Sequence, residues 1–317
     1  MSSIARPIVS APDVWPELDI AEWADTCATL HMLTQIVGKL RLALAPMQNH
    51  WWQVAFYVTE RGLTTSAMPY RDRFLTVDFD FVAHAVEVRT SDGGSRVVPL
   101  VAQPVSAFYR DYQRVLRSLD VEVPIMERPV EVDPAIPFAN DSTHASYDRD
   151  AVSRWWHAML QVNRVLQSFR GQFLGKSSPV HFFWGSFDLA TTRFSGRPAP
   201  VHPGGAPNTP DYVMREAYSR ECSSCGFWPG GGATNASFYS YAYPEPPEYS
   251  SARVRPDEAY YDRDMREFIL PYEAVRTARS PDETLLAFLQ STYDAASDLG
   301  GWDRAALERP GGVLRGG

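Results

Sequence analysis

Gln35-Ile36-Val37-Gly38-Lys39 and Gln172-Phe173-Leu174-Gly175-Lys176 are one phrase written twice: Gln, two apolar residues, Gly, Lys. After each copy comes a proline (Pro46, Pro179), then a histidine ahead of aromatics (His50-Trp51-Trp52 and His181-Phe182-Phe183-Trp184). Each then runs through an apolar stretch to a threonine pair, Thr64-Thr65 and Thr191-Thr192. Recurrence about half a chain apart points to an internal duplication. The spacing differs, because Gly to His is twelve residues in the first copy and six in the second; the inserted LRLALAPM accounts for that. The fold expected from this is α+β: two similar halves, each helix, antiparallel strands, helix, related by a pseudo-twofold and sharing one antiparallel sheet. Two separate small domains are the alternative. The halves run over 1–135 and 136–308, with a flexible tail at 309–317.

Periodicity fills in the halves. Ile20, Trp23, Cys27, Leu30, Leu33, Ile36 and Val37 recur at three- and four-residue steps, so 20–41 reads as a helix with Asp19 as its cap. Residues 50–59 read as a strand with Trp52, Val54, Phe56 and Val58 on one face. A hairpin over 73–90 and 95–101 closes at Ser91-Asp92-Gly93-Gly94. A helix over 105–119 and a short strand near Val121 lead to a proline-rich linker over 127–140. A long helix over 148–174 carries Trp155, Trp156, Met159, Val162, Val165, Leu166 and Phe169. Residues 181–194 read as a strand or hairpin, 238–243 and 267–272 as strands, and 281–299 as a helix. Pro and Gly make loops of 197–211, 226–232 and 244–256.

Of 30 basic residues, 28 are Arg and only Lys39 and Lys176 are Lys. A bias toward Arg converts lysines wherever a generic positive charge suffices. It leaves lysine where a compact ammonium, or an amine that can lose its proton, is required.

Composition excludes several classes. The chain has 317 residues, 44% of them hydrophobic, and a net charge of −8. That is enough apolar material for a core. An acidic chain lacks the basic footprint of a nucleic-acid binder and is not drawn to anionic membranes. No apolar run nears the roughly 18 residues of a spanning helix; Leu40–Ala45 is among the longest, and it contains Arg41. The start lacks the apolar segment of a signal peptide, and three cysteines are no disulfide framework. A soluble cytoplasmic protein with a small-molecule ligand, and neither nucleic acid nor membrane as partner, is expected. Nothing names a cofactor.

Longer motifs carry a resemblance. Trp15-Pro16, Asp25-Thr26, Thr29-Leu30-His31-Met32, Asn49-His50-Trp51-Trp52, Phe79-Asp80-Phe81, His144-Ala145-Ser146-Tyr147-Asp148, Ser178-Pro179-Val180-His181-Phe182-Phe183-Trp184-Gly185 and Gly226-Phe227-Trp228-Pro229-Gly230 are together similar to domain of unknown function 5996, an uncharacterised bacterial family. The likeness spans about 13 to 308. It implies no activity, ligand or catalytic residue.

The residues themselves give the functional expectations. Lys176, His181, Lys39 and His50 are the candidate catalytic set: the Gly-Lys pairs end helices, and the lysines meet the histidines at a cleft between the halves. A Lys beside an apolar wall loses solvation, its pKa falls, and it can act as base or form a Schiff base with a carbonyl. The plain structural alternative is a Gly cap with a Lys facing the helix dipole. Arg193, Arg197, Trp184, Trp52 and Trp228 are candidate substrate contacts, Arg193 and Arg197 to grip a carboxylate and Trp228 on a glycine-hinged lid. Asp141, His144 and Asp148 offer a weaker alternative as a metal set; a capped loop before the long helix is the competing reading. Asp78, Asp80 and His84 share one strand face, more simply a solvated one. Cys222 and Cys225 form a lone CxxC without a second pair. Gly171–Ser177 is one residue short of a P-loop and follows a helix, which excludes that reading. No GxSxG elbow supports a serine hydrolase. The expected function is an enzyme acting on a small anionic or carbonyl-bearing metabolite through Lys/His chemistry; a metal-dependent enzyme or a non-catalytic binding protein are the alternatives.

Overall fold

The computed structural model describes residues 14–310. Helix α1 (Ile20–Leu44) starts where the Asp19 carboxylate accepts the Ala21 N–H at 3.0 Å. Residues 32–41 of α1 are all buried, so the middle of this helix has no solvent face. Gly38 and Lys39 lie inside it, and the helix runs on to an Ala45 cap, so the first Gly-Lys pair does not end a helix. The space there is instead taken by an indole. A Cβ on Gly38 would stand 2.2 Å from Trp184 Cδ2, so only glycine lets the ring lie against the helix.

The segment expected as a strand over 50–59 is mostly not one. Asn49–Val54 forms short 3-10 turns in which His50 and Trp51 both take φ of 60°. This left-handed backbone breaks the alternation that the residue pattern suggested. Only Tyr57–Val58 is extended, as β1.

Two six-stranded antiparallel sheets follow, and not one shared sheet. The first orders β1, β2 (Gly62–Thr64), β4 (Arg73–Asp80), β5 (Ala85–Thr90) and β6 (Ser95–Pro99), with β3 (Met68–Tyr70) pairing to β4. The expected two-stranded hairpin is thus a meander, with an extra turn at 81–84. Helix α2 (Val105–Ser118) follows, and no strand forms at Val121. Long helix α3 (Arg149–Gly171) is capped by Asp148. The second sheet is built from β7 (His181–Phe183), β8 (Asp188–Pro198), β9 (Arg220–Gly231), β10 (Thr234–Tyr243), β11 (Tyr260–Asp262) and β12 (Glu267–Pro271), in the order β11-β12-β10-β9-β8-β7. Between β8 and β9 lies α4 (Asp211–Ala217), and α5 (Tyr272–Arg276), α6 (Pro281–Leu299) and α7 (Arg304–Leu307) finish the described chain. The sheets touch at a single bridge, where Phe56 and Phe182 exchange both backbone hydrogen bonds at 2.9 Å. That contact is too short to merge them, because the chain turns away on both sides of it. One hydrophobic cluster runs from Trp15 through both sheets to Ala296.

The 226–232 segment, expected as a hinged loop, is largely the end of β9, paired through Gly231 with β10. Registers fix the two faces of the second sheet. Leu189, Phe227, Phe238 and Leu270 share the face that joins the core. The opposite face carries His181, Asp188, Ala190, Thr192, Phe194, Ser224, Gly226, Tyr239, Tyr241 and Glu267. It is small and polar at the centre and titratable at its ends. No helix among the described residues is long and apolar enough to cross a membrane.

Candidate functional site

At the edge of the polar face of the second sheet, Lys176 and His50 come into contact. Lys176 lies beyond the end of α3, and its carbonyl accepts the Phe194 N–H of β8 at 3.0 Å. Its Nζ stands 2.6 Å from Nε2 of His50, which comes from the left-handed turn of the other half. The His50 Nδ1 lies 2.8 Å from the Ala217 carbonyl at the end of α4. A carbonyl only accepts, so Nδ1 carries the proton and Nε2 offers its lone pair to the amine. Trp52 and Phe194 wall the amine, with ring centroids 5.3 and 5.1 Å from Nζ. Burial lowers the pKa of both partners: nearby Arg220 adds to the effect on Lys176, and Lys176 adds to that on His50. No carboxylate forms an ion pair with Lys176 among the described residues, and the residue is exposed to solvent.

His181 is fully buried on β7. Its Nε2 lies 3.4 Å from the Tyr57 hydroxyl, and its Nδ1 has no partner. Burial, reinforced by Arg41 and Arg170, holds it down at about 3, so it is a neutral imidazole. Trp52 joins it to the first pair, its ring 5.8 Å from His181 and 5.2 Å from His50.

Lys39 belongs to a second, acidic centre. Gln35, one turn earlier on α1, accepts the Val130 N–H and donates to the Val130 carbonyl, at 2.9 and 2.7 Å. That clamp sets Glu131, whose own backbone has φ of 58°, beside Lys39. Lys39 is 3% exposed and its Nζ lies 5.7 Å from the Trp184 centroid; no hydrogen bond or ion pair holds it among the described residues. Burial pulls Lys39 down to about 8, with Glu131 opposing. Glu131 is an exposed residue, but protein crowds its carboxyl; a Cβ on Gly185 would stand 2.4 Å from Oε1. Enclosure pushes it up to about 7, Asp188 adding to the rise and Lys39 opposing it. Asp188 is buried and raised by that burial, while the hydroxyls of Ser186 and Tyr239 donate to its two oxygens. Glu267, raised by burial to about 7, lies on the same face. Titratable groups displaced toward neutrality and gathered on one sheet face are the pattern of a functional site.

The remaining candidates fall elsewhere. Arg193 points to the core face, its guanidinium 3.5 Å from the Phe169 centroid and 4.4 Å from that of Tyr293, and it donates to the Phe169 carbonyl. Arg197 pairs with Glu221 at 2.7 Å and donates to the Gly300 and Gly301 carbonyls at the end of α6. Neither is free to grip a carboxylate. Trp228 is fixed in β9 and is no lid. Trp184 and Trp52 do lie at the site. Asp148 spends its carboxylate on the Asp150 and Ala151 N–H groups, while Asp141 binds His144 Nδ1 at 2.7 Å and two loop N–H groups. The metal alternative is thereby corrected to a capped loop. Asp80 pairs with Arg61, Asp78 with Arg89, and His84 bonds the Tyr147 hydroxyl. Among the described residues no group of three or more His, Cys, Asp or Glu is placed to hold a metal ion. Cys222 and Cys225 point to opposite faces of β9 and burial pushes both thiols up to about 12, so the CxxC is incidental.

Glu131, Asp188, Tyr239 and Arg41 were not singled out from the sequence. Arg41 left a signal, since it is a charge inside the apolar run Leu40–Ala45. Glu131 left none, because its place depends on a clamp from a residue far off in the chain.

The fold and site define an α+β protein with an ionisable sheet face of unassigned chemistry. The chain belongs to the family of unknown function DUF5996, whose model matches residues 15–309. No curated protein and no solved structure matches it.

Proposed function

We propose that the protein is an enzyme acting on a small anionic or carbonyl-bearing metabolite, with Lys176 as the reacting amine and His50 as its proton partner. One observation carries this reading: the 2.6 Å contact between Lys176 Nζ and a His50 nitrogen that can only accept, with no carboxylate paired to the amine. A Lys held against aromatic rings and near another cation is biased toward its neutral, nucleophilic form. Donating one N–H to His50 leaves the amine lone pair aimed elsewhere. In a Schiff-base step that lone pair adds to the carbonyl carbon, and the oxygen becomes a hydroxyl by taking a proton. The nitrogen then passes a proton to His50 Nε2, which returns it to the hydroxyl as water leaves. Lys39 and Glu131 lie near neutrality and can exchange a second proton in the same face.

Borohydride reduction in the presence of pyruvate or a short aldehyde tests it. Mass spectrometry should place the adduct on Lys176, and the adduct should vanish in Lys176→Arg. Labelling absent from Lys176, or equal at both lysines and the N-terminus, contradicts the reading.

A further inference from the structure

We propose that Arg41, beside His181 and the Tyr57 ring, forms an oxyanion subsite that holds the carboxylate or phosphate of the substrate beside Lys176. The inference names the substrate class of the function proposed above and takes from it only the position of the chemistry.

Arg41 is 6% exposed in the last turns of α1, and its side chain has no hydrogen bond and no ion pair among the described residues. Its Nε is sealed from water without a partner. The Tyr57 ring lies 6.0 Å from its guanidinium, at the outer limit of a cation–π contact. The buried Arg193 is held differently: three aromatic rings surround it and it donates to the Phe169 carbonyl, although its Nε too lacks a partner. Among the described residues no carboxylate pairs with Arg41. Burying a cation without an anion is costly, so a guanidinium left this way needs a reason.

His181 points to the same reason. The contact between Nε2 and the Tyr57 hydroxyl leaves Nδ1 of this neutral ring sealed without a partner. Arg41 and His181, each with an unpartnered nitrogen, thus both border one tyrosine. A planar guanidinium fork fits the paired oxygens of a carboxylate or phosphate. Trp52 packs against both His181 and the Lys176 ammonium, so a molecule anchored by its oxyanion at Arg41 presents its next atoms to the amine along one shared wall. The helix geometry explains the pairing of functions on α1. Gly38 faces Trp184, and Lys39 and Arg41 project on either flank of it, at about +100° and −60°.

The test is titration calorimetry and thermal melting with sodium phosphate and sodium pyruvate, at ionic strength fixed by sodium chloride. Saturable stabilisation by either anion over chloride is expected. Response to phosphate alone assigns a phosphoryl group, to pyruvate alone a carboxylate, and to both the shared oxyanion; each supports the subsite. Arg41→Met should weaken binding at least about tenfold, and Arg41→Lys should restore part of it while keeping the charge. Should Arg41→Met fail to fold, Arg41→Lys decides: affinity equal to the parent protein's contradicts the subsite. No stabilisation beyond chloride, or undiminished binding by Arg41→Met, overturns it. Anion binding retained where borohydride trapping fails in the parent protein sinks the Schiff-base chemistry and leaves the subsite standing.

Discussion

Gly38-Lys39 and Gly175-Lys176 are the same two residues in the same phrase, yet they do different work. The first pair lies in the middle of a buried helix, where glycine admits the Trp184 ring and the lysine has no partner. The second lies in the turn beyond α3, where glycine meets only the ends of Leu307 and Phe173 and the lysine is bound to His50. Identical sequence thus specifies a bond in one place and an unsatisfied charge in the other. What differs is the surroundings: Lys39 has the Glu131 carboxyl as its charged neighbour without bonding to it, whereas Lys176 touches an imidazole and aromatic walls.

This contrast can be broken at several points. The largest expected effect is steric. Gly38→Ala should lower stability by about 2 kcal/mol despite the better helix propensity of alanine, because a rigid indole stands where the methyl would go. Gly175→Ala should cost clearly less, since flexible side-chain atoms can give way. Equal losses in urea unfolding would mean that the two glycines are equivalent after all.

Electrostatics gives the next effect. Lys39→Met should raise stability at neutral pH by about 1 kcal/mol, because it removes a buried unpaired ammonium. Lys176→Met should stay within about 0.5 kcal/mol of the parent protein. The sign has a pH signature. Lys39 is depressed in the folded state to about 8, so its contribution is fully present above the ordinary lysine pKa and is lost as pH falls through 8. The gain from Lys39→Met should therefore shrink between pH 8 and 10.5 and disappear above. A gain independent of pH would place the ammonium in an ordinary setting.

Glu131 gives the smallest and opposite effect. Its folded pKa is raised to about 7, so it favours folding in the protonated form, and that advantage fades as pH rises from 4.5 through 7. Glu131→Gln should melt higher than the parent protein above pH 7 and no higher near pH 4. Matching pH profiles for the two proteins would argue that the carboxyl is simply solvated.

Much of the secondary structure was legible because it obeys simple periods. Helix α6 runs over Pro281–Leu299, as its pattern indicates, and α1 begins at its Asp19 cap. The stretch at 49–54 was illegible because its alternation is that of a strand, while His50 and Trp51 turn left-handed to bring an imidazole to the Ala217 carbonyl. β9 was hidden by its glycines, which read as loop but serve the sheet: a Cβ on Gly226 would collide with the Tyr239 hydroxyl, 2.5 Å away. Of the site, the rarity of lysine pointed to both ammonium groups and the phrase pointed to His50 and His181. The partners that shift their pKa values, Glu131 and Asp188, come together only in three dimensions.

Two lysines in the whole chain make the decisive measurement direct. Protein labelled with carbon-13 at the lysine ε position should give two side-chain signals to follow against pH. One, assigned to Lys39 by its loss in Lys39→Met, should titrate near 8; the other should titrate below the usual lysine range and move back up in Arg220→Met. Both signals titrating near 10.5, with Lys176 indifferent to Arg220, would contradict a tuned amine on this sheet face.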